Sequence, residues 1–271
     1  MKPQTLAQGD SVIILSPSGR VIEERVKKSA EVLRNWGLKV RFSSHAFNSH
    51  FKLAGTDEER LSDLQSALDD KDIKAIFCAR GGYGLVRIID QFDFTKFMQN
   101  PKWVVGFSDV TVLHNELNKL GVASLHAPMP NSYSSTPEIA MNSLYNALFK
   151  KNYQCDTPFN KQEIVGGNLA IIYSLLGTNS DLNTNGKVLL IEDIGEYAYN
   201  IDRMIHALKK AGKFNKLKGL LVGQFTDIKD DGFGYTVKEI IENCTQEYSF
   251  QIYFDIPIGH VDDNRAIVLG V

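Results

Sequence analysis

The sequence predicts an α/β fold in which a parallel sheet carries helices on both faces and a second, smaller domain follows. Three observations predict it. Strand-sized apolar runs alternate with stretches of helical periodicity through the first half of the chain. Two of these runs end in small-residue turns, Arg80-Gly81-Gly82-Tyr83-Gly84 and Gly106-Phe107-Ser108-Asp109. Ligands of such sheets gather at those carboxyl ends. A polar stretch from Lys150 to Pro158 then reads as a linker before a second alternating series.

The elements follow in order. Residues 11–16 form an apolar strand that stops at Ser16-Pro17-Ser18-Gly19, and residues 21–36 have helical spacing that Gly37 ends. A short strand spans 39–42. Thr56 with Glu59 three residues on is a capping-box pattern opening a helix through Leu61, Leu64 and Leu68. Strands at 74–79, 103–107 and 122–125 complete the first series. Beyond the linker come a helix over 167–176, a strand at 187–191, a helix at 199–211 and a strand at 217–222. A helix at 237–245 and strands at 251–254 and 266–269 end it. The resulting division is 1–150, a linker at 151–163, and 164–271.

Composition narrows the function. A chain of 271 residues is comfortable for two domains. Its net charge of -2 offers no electrostatic footprint for nucleic acid or an anionic membrane. No apolar run reaches the length of a membrane span, and the first ten residues lack the apolar core of a signal peptide, so a cytoplasmic protein is expected. Cys78, Cys155 and Cys244 are scattered and odd in number, which argues against a disulfide framework and a Cys-x-x-Cys metal site. No His-x-x-x-His or Asp/His cluster argues for a catalytic metal.

Ser108 follows a strand and precedes a helical pattern, the setting of a nucleophile elbow. The usual Gly-x-Ser-x-Gly has Val110 in its last place. A nucleophilic serine needs a base and a group to orient that base. Among six histidines, His260 is the leading base because it follows a strand and Gly259 on a loop. His126, beside Pro128, is the second candidate. Glu192 and Asp193, directly behind the apolar run 188–191, are candidates for the acid. The Gly81-Gly82-Tyr83-Gly84 turn could cradle a phosphate, donate to an oxyanion, or simply turn the chain.

These motifs resemble the LD-carboxypeptidases, the serine peptidases that include muramoyltetrapeptide carboxypeptidase and the microcin C immunity peptidase. The resemblance is carried by Arg80-Gly81-Gly82-Tyr83-Gly84, Gly106-Phe107-Ser108-Asp109-Val110-Thr111 and Gly166-Gly167-Asn168-Leu169 with Leu176-Gly177-Thr178. Ile191-Glu192-Asp193-Ile194-Gly195-Glu196, Ile201-Asp202-Arg203-Met204 and Ile258-Gly259-His260 complete it. It implies a flavodoxin-like first domain bearing the serine and a smaller β-rich domain bearing the acid and base. Ser108 matches the nucleophile, His260 the base and Glu192 the orienting acid, with Glu196 its close competitor. The Gly82 and Asp109 backbone N–H groups would form the oxyanion hole, with the Asp109 side chain capping the helix start. Arg80 is the choice for the substrate carboxylate, with Tyr83 beside it. The implied reaction releases terminal D-alanine from murein tetrapeptide or a muropeptide in peptidoglycan recycling, without cofactor, by a cytoplasmic homodimer. Two departures from the family pattern stand out. Ala127 replaces a usual Gly, and the chain stops at Val271, soon after His260, where members continue through another strand. Either a truncated sequence or a shortened member is therefore expected, with a poorly held triad if the missing strand buttresses the His260 loop.

Two other readings compete. An immunity-type peptidase would cleave amides of peptidyl or aminoacyl nucleotides. Aromatics placed to stack on adenine would favour it, with Tyr83 and Trp103 in question. A non-catalytic module would hold a small anion in the Gly-rich turn.

Overall fold

The computed structural model describes residues 1–153, 157–159, 161–229 and 232–270. Cys155 and part of the expected linker lie outside them. Two sheets organise the chain. The first takes β1 (Ser11–Leu15), β2 (Lys39–Phe42), β3 (Ile73–Cys78), β4 (Trp103–Gly106) and β5 (Ser124–His126). These five pair in parallel in the order β2-β1-β3-β4-β5, the flavodoxin-type order. The order reverses between β1 and β3, so a crevice opens beyond their carboxyl ends.

Helices α1 (Glu23–Asn35), α2 (Asp57–Asp69), α3 (Thr95–Gln99), α4 (Thr111–Lys119) and α5 (Glu138–Phe149) surround this sheet. Val26, Ala30 and Leu33 of α1 and Leu144, Ala147 and Leu148 of α5 pack on one face. Leu64 and Leu68 of α2 and Leu113 and Leu117 of α4 pack on the other. The α2 capping box forms: Thr56 accepts from the Glu59 N–H, and Glu59 accepts from the Thr56 N–H. Lys102, buried, donates to the Ala67 and Leu68 carbonyls near the end of α2.

The second sheet is also parallel. It orders β6 (Ile164–Asn168), β7 (Val188–Ile194), β8 (Gly219–Thr226) and β9 (Gln251–Tyr253), with α6 (Leu169–Ser174), α7 (Ala198–Lys210) and α8 (Val237–Thr245) packed on it. The helix expected over 167–176 is shorter, because its first residues belong to β6. Gly167, the first residue of the expected helix, and Gly166 before it both hold positive φ inside a strand. A Cβ on Gly167 would lie 2.6 Å from Thr111 Oγ1, so glycine lets this strand touch the start of α4.

The chain then returns. Strand β10 (Ile267–Leu269) pairs antiparallel with β5 on the outer edge of the first sheet, and the Gly270 N–H donates to the Ile164 carbonyl of β6. A boundary near 150 does not anticipate this return. β10 is the strand expected over 266–269, and it follows the His260 loop.

Candidate active site

The carboxyl ends of the two sheets face each other, and the chemistry converges there. β4 ends at Gly106, and Ser108 follows at φ 65°, a left-handed conformation that a serine adopts only under constraint. Two glycines make room for this turn. A Cβ on Gly106 would meet Val110 Cγ2 at 2.9 Å, and one on Gly81 would meet Ser108 Cβ at 2.8 Å. Val110 is therefore the core partner of the elbow, buried against Gly106. Ser108 itself is half-buried.

The Gly-rich turn is fixed by hydrogen bonds. The Gly19 N–H donates to the Gly81 carbonyl at 3.0 Å. In a trans peptide the next N–H points the opposite way, so the exposed Gly82 N–H is directed away from Gly19, and it has no acceptor among the described residues. The Asp109 side chain does not cap α4, which begins without a side-chain cap. Instead its carboxylate, buried, accepts from Ser18 Oγ at 2.6 Å and from the Leu85 N–H at 3.0 Å. It thereby ties the loop after β1 and the Gly-rich turn to the serine. Burial pushes the Asp109 carboxyl up, against the Ser18 and Leu85 donors that favour its charge. Nothing local in the sequence marks this clamp, since its partners lie far apart in the chain.

Opposite, Glu192 lies in β7 across from a bulge in β8. Ile191 pairs with Val222 and Asp193 with Phe225, so one residue faces two across the β7–β8 ladder. Glu192 is wholly buried, and its Oε2 lies 2.8 Å from His260 Nδ1. Glycines again allow the approach: a Cβ on Gly223 would fall 2.5 Å from the Ile258 carbonyl, and one on Gly259 3.0 Å from Glu192 Oε2. The loop is pinned by the Gln224 N–H to the Ile258 carbonyl at 2.8 Å and by the Gly259 N–H to Asn264 Oδ1 at 3.0 Å. His126, at the end of β5 and fully buried, brings Nε2 to 4.0 Å from Glu192 Oε1, an ion-pair approach longer than a hydrogen bond. The Phe107 ring lies between the two imidazoles, 4.9 Å from His260 and 5.5 Å from His126. Burial opposes the Glu192 charge, but the facing imidazoles outweigh it and its pKa falls to about 2.

The other candidates fall away on geometry. Asp193 is engaged by Asn168 Nδ2 and by the Ala170 N–H, both at 2.9 Å, and burial raises its pKa to about 6. Glu196 accepts from Asn200 Nδ2 and faces neither histidine by hydrogen bond or ion pair. His114 is buried with Nε2 2.9 Å from the Gly106 carbonyl, and burial takes its pKa to about 3. Trp103 is buried and donates to the Gln4 carbonyl, so it cannot stack on a ligand. One cleft borders the His260 loop and another the Gly-rich turn. The first, of about 490 Å³, is lined by Phe107, Pro128, Thr226, His260 and Asn264. The other, of about 580 Å³, holds Arg80, Gly82 and Tyr83. Arg80 Nη1 donates to the Arg20 carbonyl at 2.9 Å and remains exposed.

Two family models match the chain: the LD-carboxypeptidase N-terminal domain over residues 12–127 and the LD-carboxypeptidase C-terminal domain over 161–271. This chain belongs to the LD-carboxypeptidase family. It is a serine peptidase, as that family is. A Bacillus subtilis protein named "Probable murein peptide carboxypeptidase" is 32% identical, over 99% of this chain and 89% of that one. The crystal structure of muramoyltetrapeptide carboxypeptidase from Oxalobacter formigenes superposes with a TM-score of 0.84 at 27% identity, covering 96% of this chain and 92% of that one. The microcin C7 self immunity protein shares the fold, with a TM-score of 0.89 at 20% identity over 99% and 93% of the two chains.

Proposed function

We propose that this family member is a serine carboxypeptidase that hydrolyses the L,D-peptide bond releasing terminal D-alanine from murein tetrapeptide. The observation that carries the reading is the 2.8 Å contact between His260 Nδ1 and the buried, ionised Glu192, opposite a serine held at positive φ. Glu192 takes the Nδ1–H, which fixes the tautomer and leaves Nε2 free to accept the Ser108 proton. Ser108 Oγ attacks the scissile carbonyl. The Gly82 and Asp109 N–H groups receive the oxyanion, each such donor contributing on the order of 3 kcal/mol. His260 returns the proton to the departing amine, and water, activated by the same imidazole, hydrolyses the ester. Arg80 holds the terminal carboxylate and Tyr83 borders it. His126 acts through Glu192 as a positioning residue, since full burial keeps it from the substrate.

The reaction belongs to cytoplasmic cell-wall recycling and the enzyme to homodimers, a reading supported by the family membership. No helix among the described residues is long and apolar enough to cross a membrane. The deciding assay follows D-alanine release from an L,D-tetrapeptide by wild type and Ser108→Ala. Release by the wild type alone supports the proposal, and release by both sinks it. Cleavage of an aminoacyl-sulfamoyl-adenosine in preference to the tetrapeptide would instead favour the immunity-type activity.

A further inference from the structure

The two N–H groups assigned to the oxyanion lie on different loops, at Gly82 in the turn after β3 and at Asp109 in the elbow after β4. Neither loop alone sets the spacing between them. One side chain spans the gap. Asp109 Oδ2 accepts from Ser18 Oγ at 2.6 Å and from the Leu85 N–H at 3.0 Å. The residue that carries one donor thus grips the far end of the turn that carries the other. Ser18 extends the grip to the near end. Its neighbour Gly19 donates its N–H to the Gly81 carbonyl at 3.0 Å and so directs the Gly82 N–H. Arg60 braces both loops from behind. Its Nη1 donates to the Pro17 carbonyl at 2.7 Å, and a Cβ on Gly84 would fall 2.6 Å from the same nitrogen. Its positive charge favours the ionised form of Asp109.

Stability alone does not account for this arrangement. Ser18, Arg60 and Asp109 are all buried. Burying a carboxylate costs desolvation, and apolar residues of similar volume in place of a buried ionic cluster are often as stable. A polar cluster supplies what apolar packing does not, a fixed distance between loops. That distance matters here, because an oxyanion donor is effective only within about 2.7–3.1 Å of the developing charge.

We propose that the Asp109 carboxylate and the Ser18 hydroxyl are a positioning pair for the oxyanion hole, holding the Gly82 and Asp109 N–H groups at the separation the tetrahedral intermediate requires. The inference rests on the reading of Ser108 as nucleophile and of those two N–H groups as its donors. Burial keeps both side chains from the substrate, so they act only through the backbone they hold.

The test compares a tripeptide aldehyde, ending at the acyl residue, with the matching alcohol. Ser108 Oγ adds to the aldehyde carbon, its proton passing to His260 and the carbonyl electron pair to the oxygen, which then occupies the hole. The alcohol forms no such adduct. Calorimetry gives Kd for both compounds with wild type, Ser18→Ala, Asp109→Asn and Thr56→Ala, the last a control that loosens the cap of α2. The ratio of alcohol Kd to aldehyde Kd reads the hole. Ser18→Ala should lower it about ten-fold and Asp109→Asn, which keeps an acceptor, about three-fold. The alcohol Kd should stay within about two-fold, and Thr56→Ala should leave the ratio unchanged. On the tetrapeptide, kcat should fall by the same factors with KM unchanged. If Ser18→Ala does not fold, Asp109→Asn carries the reading. A ratio that stays constant in these variants while their melting temperatures fall overturns the proposal, since the cluster then only stabilises the fold. So does an equal loss of alcohol binding, or a ratio that drops as far in Thr56→Ala. A wild-type ratio near one removes the hole and the proposal together. A wild type that shows the ratio, and loses it in the variants, but releases no D-alanine refutes the carboxypeptidase reading and leaves the positioning pair standing.

Discussion

The two halves of the site are built by opposite means. On the first sheet, backbone does the positioning: a serine at positive φ, glycines pressed against it, and a Gly82 N–H aimed by a hydrogen bond on the far side of its peptide. On the second sheet, side chains do it: a fully buried carboxylate between two imidazoles, ionised because they face it. The first half is chiefly a matter of steric fit. The second is electrostatic, so pH and charge substitutions should reach it first.

The largest expected effect breaks the first half at its centre. Ser108→Ala should lower kcat on the order of a million-fold. Ser108→Gly should be equally inactive yet raise the melting temperature, because glycine relieves the left-handed strain, worth roughly 1 kcal/mol. A Gly variant melting below wild type would mean the turn is not strained.

Next comes the electrostatic half. Glu192→Gln should cost about 10⁴-fold in kcat with little change in KM, since the imidazole loses the partner that fixes its tautomer. The same residue sets an acid limit on stability. Its folded pKa of about 2 lies below the ordinary 4.5, so its contribution is complete above about pH 4.5 and is lost as pH falls toward 2. Denaturant titrations across that window should show the loss in wild type and a flatter profile in Glu192→Gln. Identical profiles would remove Glu192 as the source.

Smaller effects sharpen the steric contrast. Gly81→Ala places a methyl 2.8 Å from Ser108 Cβ and should lower kcat about a hundred-fold by displacing the nucleophile. The loss should be the same at pH 6 and pH 8, whereas a pH-dependent loss would tie the turn to the titrating half. Asp109→Asn, which weakens the clamp to Ser18 and Leu85, should reduce stability by about 1–3 kcal/mol in a urea titration.

This division also explains what the sequence disclosed. The first sheet was readable because its signals are local: apolar runs, the Thr56–Glu59 box, and glycines adjacent to the serine they accommodate. Ser108 stood out for that reason even with Val110 in the place of glycine. β6 was missed, and its last two residues were given to the helix, because Gly166 and Gly167 have no side chains to show a period of two; the reason for Gly167 lies across the molecule at Thr111. Position behind the strand and the family motif favoured Glu192 over Glu196, but position did not separate it from Asp193. What separates them is which side chain of β7 meets His260 across the bulge in β8, a contact 68 residues away in the chain. The Asp109 clamp and the His126 approach were missed for the same reason, as each joins elements distant in sequence.

The return of β10 to the first sheet has a further consequence for how the enzyme can be divided. Cut between the two family domains, the first half would keep five parallel strands but expose the outer side of β5, a row of unpaired backbone groups ready to recruit another chain. That open edge ends at His126, whose burial depends on what covers it. An isolated first half should therefore aggregate through β5, and co-expressed fragments should regain solubility only when the second carries residues 267–269. The halves are interlaced as one weave.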